Sequence, residues 1–147
     1  MKIAFFISSH GFGHAARACA IMEKISKKYN VKFTIFSTTP EWFFNKSLQI
    51  SYDYVEMQTD VGVIQNSPFE EDFQETLIAL EKFYPIRSEF SESVKKALIK
   101  KGIEVVFCDI SPLGMIVSNE LGIPAILIEN FTWEWIYEKY IEEYPAF

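Results

Sequence analysis

The sequence has few of the residues that build disulfides or metal sites, no excess of positive charge and no long apolar run. Its 147 residues include two cysteines, Cys19 and Cys108, in no CxxC pattern, and two histidines. A disulfide framework and a metal centre are therefore not expected, and we interpret both cysteines as reduced, buried thiols of a cytoplasmic protein. The formal net charge of −6 disfavours nucleic acid and anionic membranes as partners. No apolar run reaches the roughly 20 residues of a transmembrane helix, so no membrane span is expected.

Two common signatures of catalysis are missing as well. There is no GxSxG segment, which argues against a serine hydrolase, and no lysine-containing phosphate loop of the Walker A type. Apolar residues make up 49% of the chain and aromatic residues 16%, a composition typical of a packed globular fold. We therefore expect residues 1–147 to form a single domain.

Apolar segments rich in β-branched and aromatic residues alternate with segments of helical spacing along the chain. The expected strands are 3–7, 31–36, 52–57, 104–108 and 124–128. This alternation is typical of a parallel sheet with helices on both faces. We predict a Rossmann-like, doubly wound α/β fold with strand order 3-2-1-4-5. The last strand is almost entirely apolar and is expected to be buried on both faces.

Capping residues mark the expected helix boundaries. Thr39 and Ser111 are interpreted as N-caps, because a proline follows each of them. Segment 67–70, Ser-Pro-Phe-Glu, has the pattern of a capping box and predicts a helix start, with Phe69 on its apolar stripe. Gly102 is expected to end the helix that precedes it.

The last expected helix, 133–143, carries three aromatic residues: Trp133, Trp135 and Tyr137. Trp135 is turned by about 200° from Trp133 around the helix axis, so the two rings should point in nearly opposite directions. We therefore expect that the three rings are not all buried. The outward ring should lie on a surface for a partner domain or a second copy of the chain, that is, a homodimer.

Segment 10–17, His-Gly-Phe-Gly-His-Ala-Ala-Arg, connects the first expected strand to the first expected helix. In such a turn the free N–H groups of the helix, and the positive end of its dipole, point to the space above the strand end. Gly11 and Gly13 lack a Cβ, so a ligand can approach the backbone closely. His10 and His14, the two histidines of the chain, both lie here. The turn is therefore our candidate site.

His14 and Asp109 form the expected catalytic pair. The helix dipole favours a neutral, basic imidazole at His14. Asp109 ends the fourth strand, the expected neighbour of the first, so its carboxylate can orient that imidazole as a general base. The alternative is that each residue only caps the helix that follows it. His10 is either a second polar contact or a solvated turn residue.

The spacing Gly11-x-Gly13-x-x-Ala16 also matches a dinucleotide-binding fingerprint. That fingerprint needs an acidic residue at the end of the second strand to hold the ribose, but residues 36–39 are Phe-Ser-Thr-Thr. The nearest acid, Glu41, lies inside the next helix. Dinucleotide binding, by an oxidoreductase or epimerase, is therefore an alternative function.

Three segments together resemble a known family: Gly-Phe-Gly-His-Ala-Ala-Arg at 11–17, Asp-Ile-Ser-Pro-Leu-Gly at 109–114 and Asn-Phe-Thr-Trp-Glu-Trp-Ile-Tyr at 130–137. They are similar to glycosyltransferase-like proteins of the GT-B fold, above all to the glycosyltransferase-like domain joined to plant L-arabinokinase and to its bacterial relatives. The resemblance implies the N-terminal half of a GT-B fold. Such a domain binds the acceptor and faces a C-terminal domain that holds a nucleotide sugar. That second domain is not expected within this chain, which should therefore be inactive alone.

The resemblance also implies roles for individual residues. His14 would deprotonate the acceptor hydroxyl, and Asp109 would steady His14. Contacts to the acceptor or to its phosphates would come from His10, Gly11, Phe12, Gly13, Arg17, Ser111 and Asn130. The donor would be a nucleotide-diphosphate sugar, in particular a UDP-sugar, and the acceptor a small or lipid-linked molecule, with no metal or cofactor on this domain. A non-catalytic binding or interaction module is the alternative from another functional class.

Overall fold

Strands and helices alternate through the structure, a computed structural model that describes residues 1–143. In chain order they are β1 (Lys2–Ile7), α1 (Phe12–Ser26), β2 (Lys32–Ser37), α2 (Glu41–Ser47), β3 (Tyr52–Glu56), β4 (Gln65–Ser67), β5 (Glu70–Glu71), α3 (Phe73–Phe83), α4 (Ser88–Lys101), β6 (Val105–Asp109), α5 (Pro112–Leu121), β7 (Ala125–Ile128) and α6 (Trp133–Glu143). Residues 144–147 of the expected single domain lie outside the described residues.

Five strands form one parallel sheet in the order β3-β2-β1-β6-β7. This confirms the predicted order 3-2-1-4-5, because β6 and β7 are the fourth and fifth strands of this sheet. In the central strand β1, Phe5 pairs with Ile35 of β2 on one side and with Phe107 of β6 on the other. The carboxyl ends of β1 and β6 therefore lie side by side at the point where the strand order reverses, which is where such sheets bind ligands.

The sheet is covered on both faces, because alternate residues of β1 pack against different helices. Ile3, Phe5 and Ile7 pack with apolar residues of α1 and α2. Ala4 and Phe6 point the other way and pack with α4 and α5. All five side chains are buried. The predicted doubly wound arrangement is therefore confirmed.

The two cysteines lie in the two apolar layers. Cys19 of α1 packs in one layer and Cys108 of β6 in the other, and both are buried. Burial raises the pKa of the Cys19 thiol to about 11 and that of the Cys108 thiol to about 12. Both thiols therefore stay protonated at neutral pH, which confirms that they pack as small apolar residues.

The prediction of a helix start in segment 67–70 is wrong. β4 and β5 form an antiparallel hairpin here, and Phe69 in its turn is fully exposed. Helix α3 begins only after Asp72, whose carboxylate accepts the N–H of Glu75 at 2.9 Å. Asp72 also donates its own N–H to the carbonyl of Ile64 at 2.8 Å. One residue thus joins the hairpin to the helix, and its side chain is the N-cap that the capping-box pattern wrongly assigned upstream.

Two side chains predicted as helix caps have other environments. The N-cap position of α2 is Pro40, and the buried hydroxyl of Thr39 finds no hydrogen-bond partner within residues 1–143. Ser111 does occupy the N-cap position of α5, but its hydroxyl donates to the carbonyl of Thr59 at 3.0 Å. It therefore ties α5 to the segment after β3. Gly102 ends α4 with a φ of 65°, as predicted.

The expectation that the last strand is buried on both faces is wrong. β7 is the edge of the sheet, and its Ile126 and Leu127 side chains are 47% and 41% exposed. An edge strand has a neighbour on one side only, so an apolar composition does not guarantee burial.

The aromatic residues of α6 divide between core and solvent. Trp133 is 5% exposed and Trp135 is 52% exposed, and Tyr137 is half-buried. This confirms that the three rings are not all buried. No helix between residues 1 and 143 combines the length and apolar character that a membrane crossing requires.

Candidate active site

The paired ends of β1 and β6 bring His14 and Asp109 together. Ile7 at the end of β1 pairs with Asp109 at the end of β6, so the turn after β1 lies against that carboxylate. Gly11 makes this turn possible with a φ of 80°, a conformation that glycine adopts at little cost. Helix α1 then places the His14 ring so that Nδ1 lies 2.8 Å from Asp109 Oδ1. The side chains meet as the strand adjacency predicted.

The hydrogen bond with Asp109 determines which ring nitrogen of His14 is free. Asp109 is fully buried and, as a carboxylate, can only accept hydrogen bonds. The proton therefore sits on His14 Nδ1, which donates, and the lone pair sits on Nε2. Arg17 Nη2 also lies 3.4 Å from Nδ1, and within residues 1–143 no hydrogen bond occupies Nε2. In a neutral ring this is the tautomer that a general base needs.

Arg17 is the third member of the cluster. It lies one helical turn after His14, on the same face of α1. Its Nε donates to Asp109 Oδ2 at 2.8 Å and its Nη2 to Asp109 Oδ1 at 2.6 Å, a bidentate ion pair. Its Nη1 donates to Asn130 Oδ1 at 3.1 Å. Of two residues expected to contact an acceptor, Arg17 is thus bound to the Asp109 carboxylate, and Asn130 is bound to Arg17.

These contacts control the charge of Asp109. Burial alone would raise the pKa of the Asp109 carboxyl, but the hydrogen bonds from Arg17 and His14 outweigh it, so that its pKa lies below the ordinary value of 3.8. The carboxylate therefore stays ionised throughout the neutral range. A charge held this way contributes stability above the pKa of the unfolded chain and loses it as the pH falls through the lower, folded value.

We therefore expect Asp109→Asn to lower the free energy of unfolding at pH 7. This destabilisation should become progressively smaller below about pH 4. Urea unfolding of wild type and variant at pH 7, 5 and 3 measures this difference in the free energy of unfolding. The difference should be the same at pH 7 and pH 5 and should shrink at pH 3. A gap that stays constant down to pH 3 would contradict the assignment of Asp109 as the ionised partner of Arg17 and His14.

A small open pocket lies above this cluster, with a volume of about 290 Å³. It is lined by His10, Gly13, His14, Arg17, Asn130 and Phe131. The Phe131 ring stands edge-on to the His14 ring, with 6.0 Å between their centres. Nothing lies within 4 Å of the position that a Cβ on Gly13 would take, so the start of α1 is open to a ligand. A larger cleft of about 430 Å³, at the amino ends of β1, β2 and β3, contains no histidine.

Three other residues of the expected site lie outside this pocket. Gly11 shapes the turn, and a Cβ there would also meet open space. The Phe12 ring is 49% exposed and stacks on Phe43 at 4.9 Å, on the side of α2. Ser111 is fully buried beneath the turn, so its side chain does not face the pocket.

The structure provides no ribose-binding acid where a dinucleotide-binding fold has it. β2 ends at Ser37, whose hydroxyl accepts the N–H of Thr39 at 3.0 Å. This hydrogen bond closes the turn after β2 with polar groups of its own. Within residues 1–143 no three His, Cys, Asp or Glu side chains are grouped to hold a metal ion.

Two residues of the site were not assigned a role from the sequence. Asp60, in the segment after β3, accepts a hydrogen bond from Trp133 Nε1 at 2.8 Å, and both side chains are buried. The Trp133 ring contacts the rings of His10 and Phe131, so it supports the pocket wall from behind. The sequence signal for Asp60 is its position at a strand end, and nothing in the pattern indicated that its partner would be 73 residues away.

Comparison with known proteins gives one match in sequence and several in structure. No family model matches the chain. Over 147 aligned positions the chain is 25% identical to L-arabinokinase of Arabidopsis thaliana. The alignment covers 96% of this chain but only 14% of L-arabinokinase. The match covers the residues that make up the whole candidate site.

Solved glycosyltransferases share the fold. Glycosyltransferase VinC, in complex with dTDP, superposes with a TM-score of 0.60 at 12% identity, over 94% of this chain and 37% of VinC. UGT2 of Phytolacca americana, in complex with UDP-2-fluoro-glucose and pterostilbene, superposes with a TM-score of 0.54 at 18% identity, over 86% of this chain and 29% of UGT2. The chain thus covers well under half of each of these three proteins. Its fold is thus similar to that of GT-B glycosyltransferases, as the resemblance of the three segments implied.

Proposed function

We propose that this chain is the acceptor-binding domain of a nucleotide-sugar-dependent glycosyltransferase, with His14 as the general base and Asp109 as its orienting carboxylate. One observation carries the proposal. His14 is fixed by Asp109 through Nδ1 at 2.8 Å, and no residue of the described range 1–143 forms a hydrogen bond with its Nε2, at a pocket above the carboxyl ends of the strands. A basic nitrogen held this way is suited to take a proton from a hydroxyl group.

The proposed reaction is a direct displacement. His14 Nε2 removes the proton of the acceptor hydroxyl as the acceptor oxygen bonds to the anomeric carbon of the donor sugar. The bond from that carbon to the nucleotide diphosphate breaks, and its electron pair leaves with the diphosphate. Asp109 stabilises the imidazolium that forms, and Arg17 keeps Asp109 ionised throughout.

The donor in this proposal is a nucleotide-diphosphate sugar held by a second, C-terminal domain. Support comes from the fold neighbours, which carry dTDP and UDP-2-fluoro-glucose in their structures and of which this chain covers little more than a third or less. A UDP-sugar is the first donor to test. The acceptor is a small or lipid-linked molecule that fits beside His10, Gly13 and Asn130. Unpaired thiols such as Cys19 and Cys108 fit the reducing cytoplasm as the site of this reaction.

A non-catalytic interaction module is the second candidate, favoured by exposed aromatic side chains. Phe12 is 49% exposed, and Trp42 and Trp135 are each 52% exposed. Exposed rings of this size often mark protein interfaces. Such a module would need no fixed tautomer at His14, so the hydrogen-bonded pair with Asp109 favours catalysis.

Isothermal titration calorimetry separates the candidate functions. We expect the 147-residue chain to bind UDP-sugars weakly or not at all, because the donor pocket of the proposed enzyme belongs to the second domain. A longer protein in which this chain is joined to the proposed donor domain, called the full-length protein below, should bind a UDP-sugar and transfer its sugar to an acceptor. NAD should bind neither form, because no acidic residue stands at the end of β2 to hold the ribose.

The same titrations can contradict the proposal in two ways. Micromolar binding of a UDP-sugar by the chain alone, about −8 kcal/mol, would mean that this domain holds the donor instead of the acceptor. A full-length protein that binds no nucleotide sugar would favour the interaction module.

A further inference from the structure

Asp60 is a buried acid that the proposed reaction does not use. It is 4% exposed, and burial raises the pKa of its carboxyl above the ordinary value, although hydrogen bonds from Ser8 and Trp133 oppose the effect. Its Oδ2 accepts the Trp133 indole N–H at 2.8 Å. Burial of an acid destabilises the fold unless its oxygens accept hydrogen bonds, so the contacts of Asp60 are expected to serve a purpose.

The Trp133 indole lies against the two rings that form the pocket wall. Its centre is 5.2 Å from that of His10, at an interplanar angle of 88°, and 5.7 Å from that of Phe131, at 75°. Both are edge-to-face contacts, the favoured geometry for aromatic pairs. The direction of the indole plane therefore determines where the His10 ring can lie.

The His10 ring is held from a second side by the backbone of Gly62, which follows Asp60 by two residues. A Cβ on Gly62 would lie 3.1 Å from His10 Nδ1 and 3.3 Å from its Cγ, closer than ordinary van der Waals contact, so a larger residue there would press on the ring. Gly62 has a φ of 69°, and its carbonyl accepts the Tyr137 hydroxyl at 2.9 Å. Segment 60–62 thus contacts both α6 and the turn that carries His10.

We propose that Asp60 is a positioning residue of the pocket: by holding the Trp133 indole, it clamps the His10 imidazole between that indole and the Gly62 backbone. Of the two interpretations of His10, a polar contact of the site or a solvated turn residue, this proposal favours the first. Burial lowers the pKa of His10, so that its ring is neutral at pH 7. A neutral, fixed imidazole can both donate and accept a hydrogen bond.

The role of this clamp in catalysis rests on the proposed function. His10 lines the same pocket as His14 but has no contact with Asp109. We assign to it a hydrogen bond to a polar group of the acceptor, next to the hydroxyl that His14 deprotonates. Loss of the clamp should then weaken acceptor binding more than it slows the chemical step.

Side-chain NMR of the 147-residue chain tests the clamp directly, because its two histidines give only two sets of ring signals. In Asp60→Ala we expect the order parameter of the His10 ring to fall, while that of the His14 ring stays unchanged. Asp60→Asn keeps an oxygen that can accept the indole N–H and should restore a rigid His10 ring.

The tryptophans offer a matched control should Asp60→Ala not fold. Trp133→Phe keeps an aromatic ring but loses the N–H that Asp60 accepts, so His10 should again become mobile. Trp135→Phe makes the same change two residues later, on the exposed side of α6, and should leave both histidines as in the wild type. A His10 ring that stays rigid in Trp133→Phe, or in a folded Asp60→Ala, would overturn the proposal.

Kinetics of the full-length protein separate this proposal from the proposed function. Asp60→Ala should raise the KM for the acceptor roughly three- to tenfold, the value of one hydrogen bond, with a smaller change in kcat. A fall in kcat at unchanged KM would overturn the assigned role of His10. A wild-type protein that transfers no sugar would contradict the proposed function, and the NMR result then decides the clamp by itself.

Discussion

Replacing His14 with alanine should lower the turnover of sugar transfer in the full-length protein by about 10²–10⁴-fold, the usual contribution of a general base. The expected loss is this large because, apart from His10, the pocket offers no other neutral nitrogen base. Asp109→Asn should cost less, because it disturbs the orientation of the ring but leaves the base in place. Release of UDP from a UDP-sugar in the presence of an acceptor measures both.

His10→Ala is the matched control for this prediction. It removes the other histidine of the same pocket, one that makes no contact with Asp109. We expect it to raise the KM for the acceptor and to retain most of kcat, so a large loss of kcat in His14→Ala alone identifies the base. Full turnover in His14→Ala would contradict the role of general base and leave His14 only the role of a helix cap or a binding contact.

The largest effect on stability is expected at Gly114, where α5 crosses the sheet. A Cβ on Gly114 would lie 2.5 Å from Cys108 Sγ and 2.7 Å from Phe6 Cγ, both in the apolar layer beneath α5. Such distances are too short for contact, so Gly114→Ala must displace either α5 or the buried Phe6 and Cys108 side chains. We expect a loss of about 1–3 kcal/mol in the free energy of unfolding, the usual cost of overpacking a core. Urea denaturation measures it.

Gly13→Ala is the control with the same chemical change. Gly13 also lies in a helix, but a Cβ there meets nothing within 4 Å. The Gly13→Ala variant should be as stable as the wild type or slightly more stable, since alanine has a higher helix propensity than glycine. The added methyl group does point into the space where the proposed acceptor approaches α1. If Gly114→Ala proves as stable as Gly13→Ala, the close packing of α5 on the sheet is wrong.

The order of the parallel sheet could be predicted because its signals are local and repeated. Each strand is a short apolar run, and each helix has its own periodicity, so an error in one segment leaves the others intact. The topology then follows from general rules on crossover handedness, which apply to any chain with this alternation. The adjacency of His14 and Asp109 follows in turn, because Asp109 ends β6 and His14 lies at the start of the helix that follows the neighbouring strand β1.

The errors arose where several residues compete for the same role. Segment 67–70 and Asp72 both have the sequence pattern of a helix start, and the hairpin contact of Asp72 with Ile64 decides between them. The exposure of β7 depends on its place at the sheet edge, which its apolar sequence does not encode. Local patterns identify the candidates in such cases, and long-range contacts choose among them.

The same limit applies to the partners of the site residues. The resemblance implied that Arg17 contacts the acceptor or its phosphates, whereas its bidentate pair with Asp109 spans 92 residues of sequence. Asp60 lies 73 residues from Trp133. Sequence spacing indicates which residues share a helix face, but it does not show which buried polar groups will satisfy one another.

These long spans have a consequence for how the protein is made on the ribosome. β1, β2 and β3 leave the ribosome first and can pair in sequence, but β6 inserts beside β1 only after residue 105 has been synthesised. The pocket wall comes last, because Trp133 must reach Asp60 before His10 is held. A nascent chain that ends before α6 can therefore bring His14 and Asp109 together, but it lacks Trp133 and so cannot form the proposed clamp on His10.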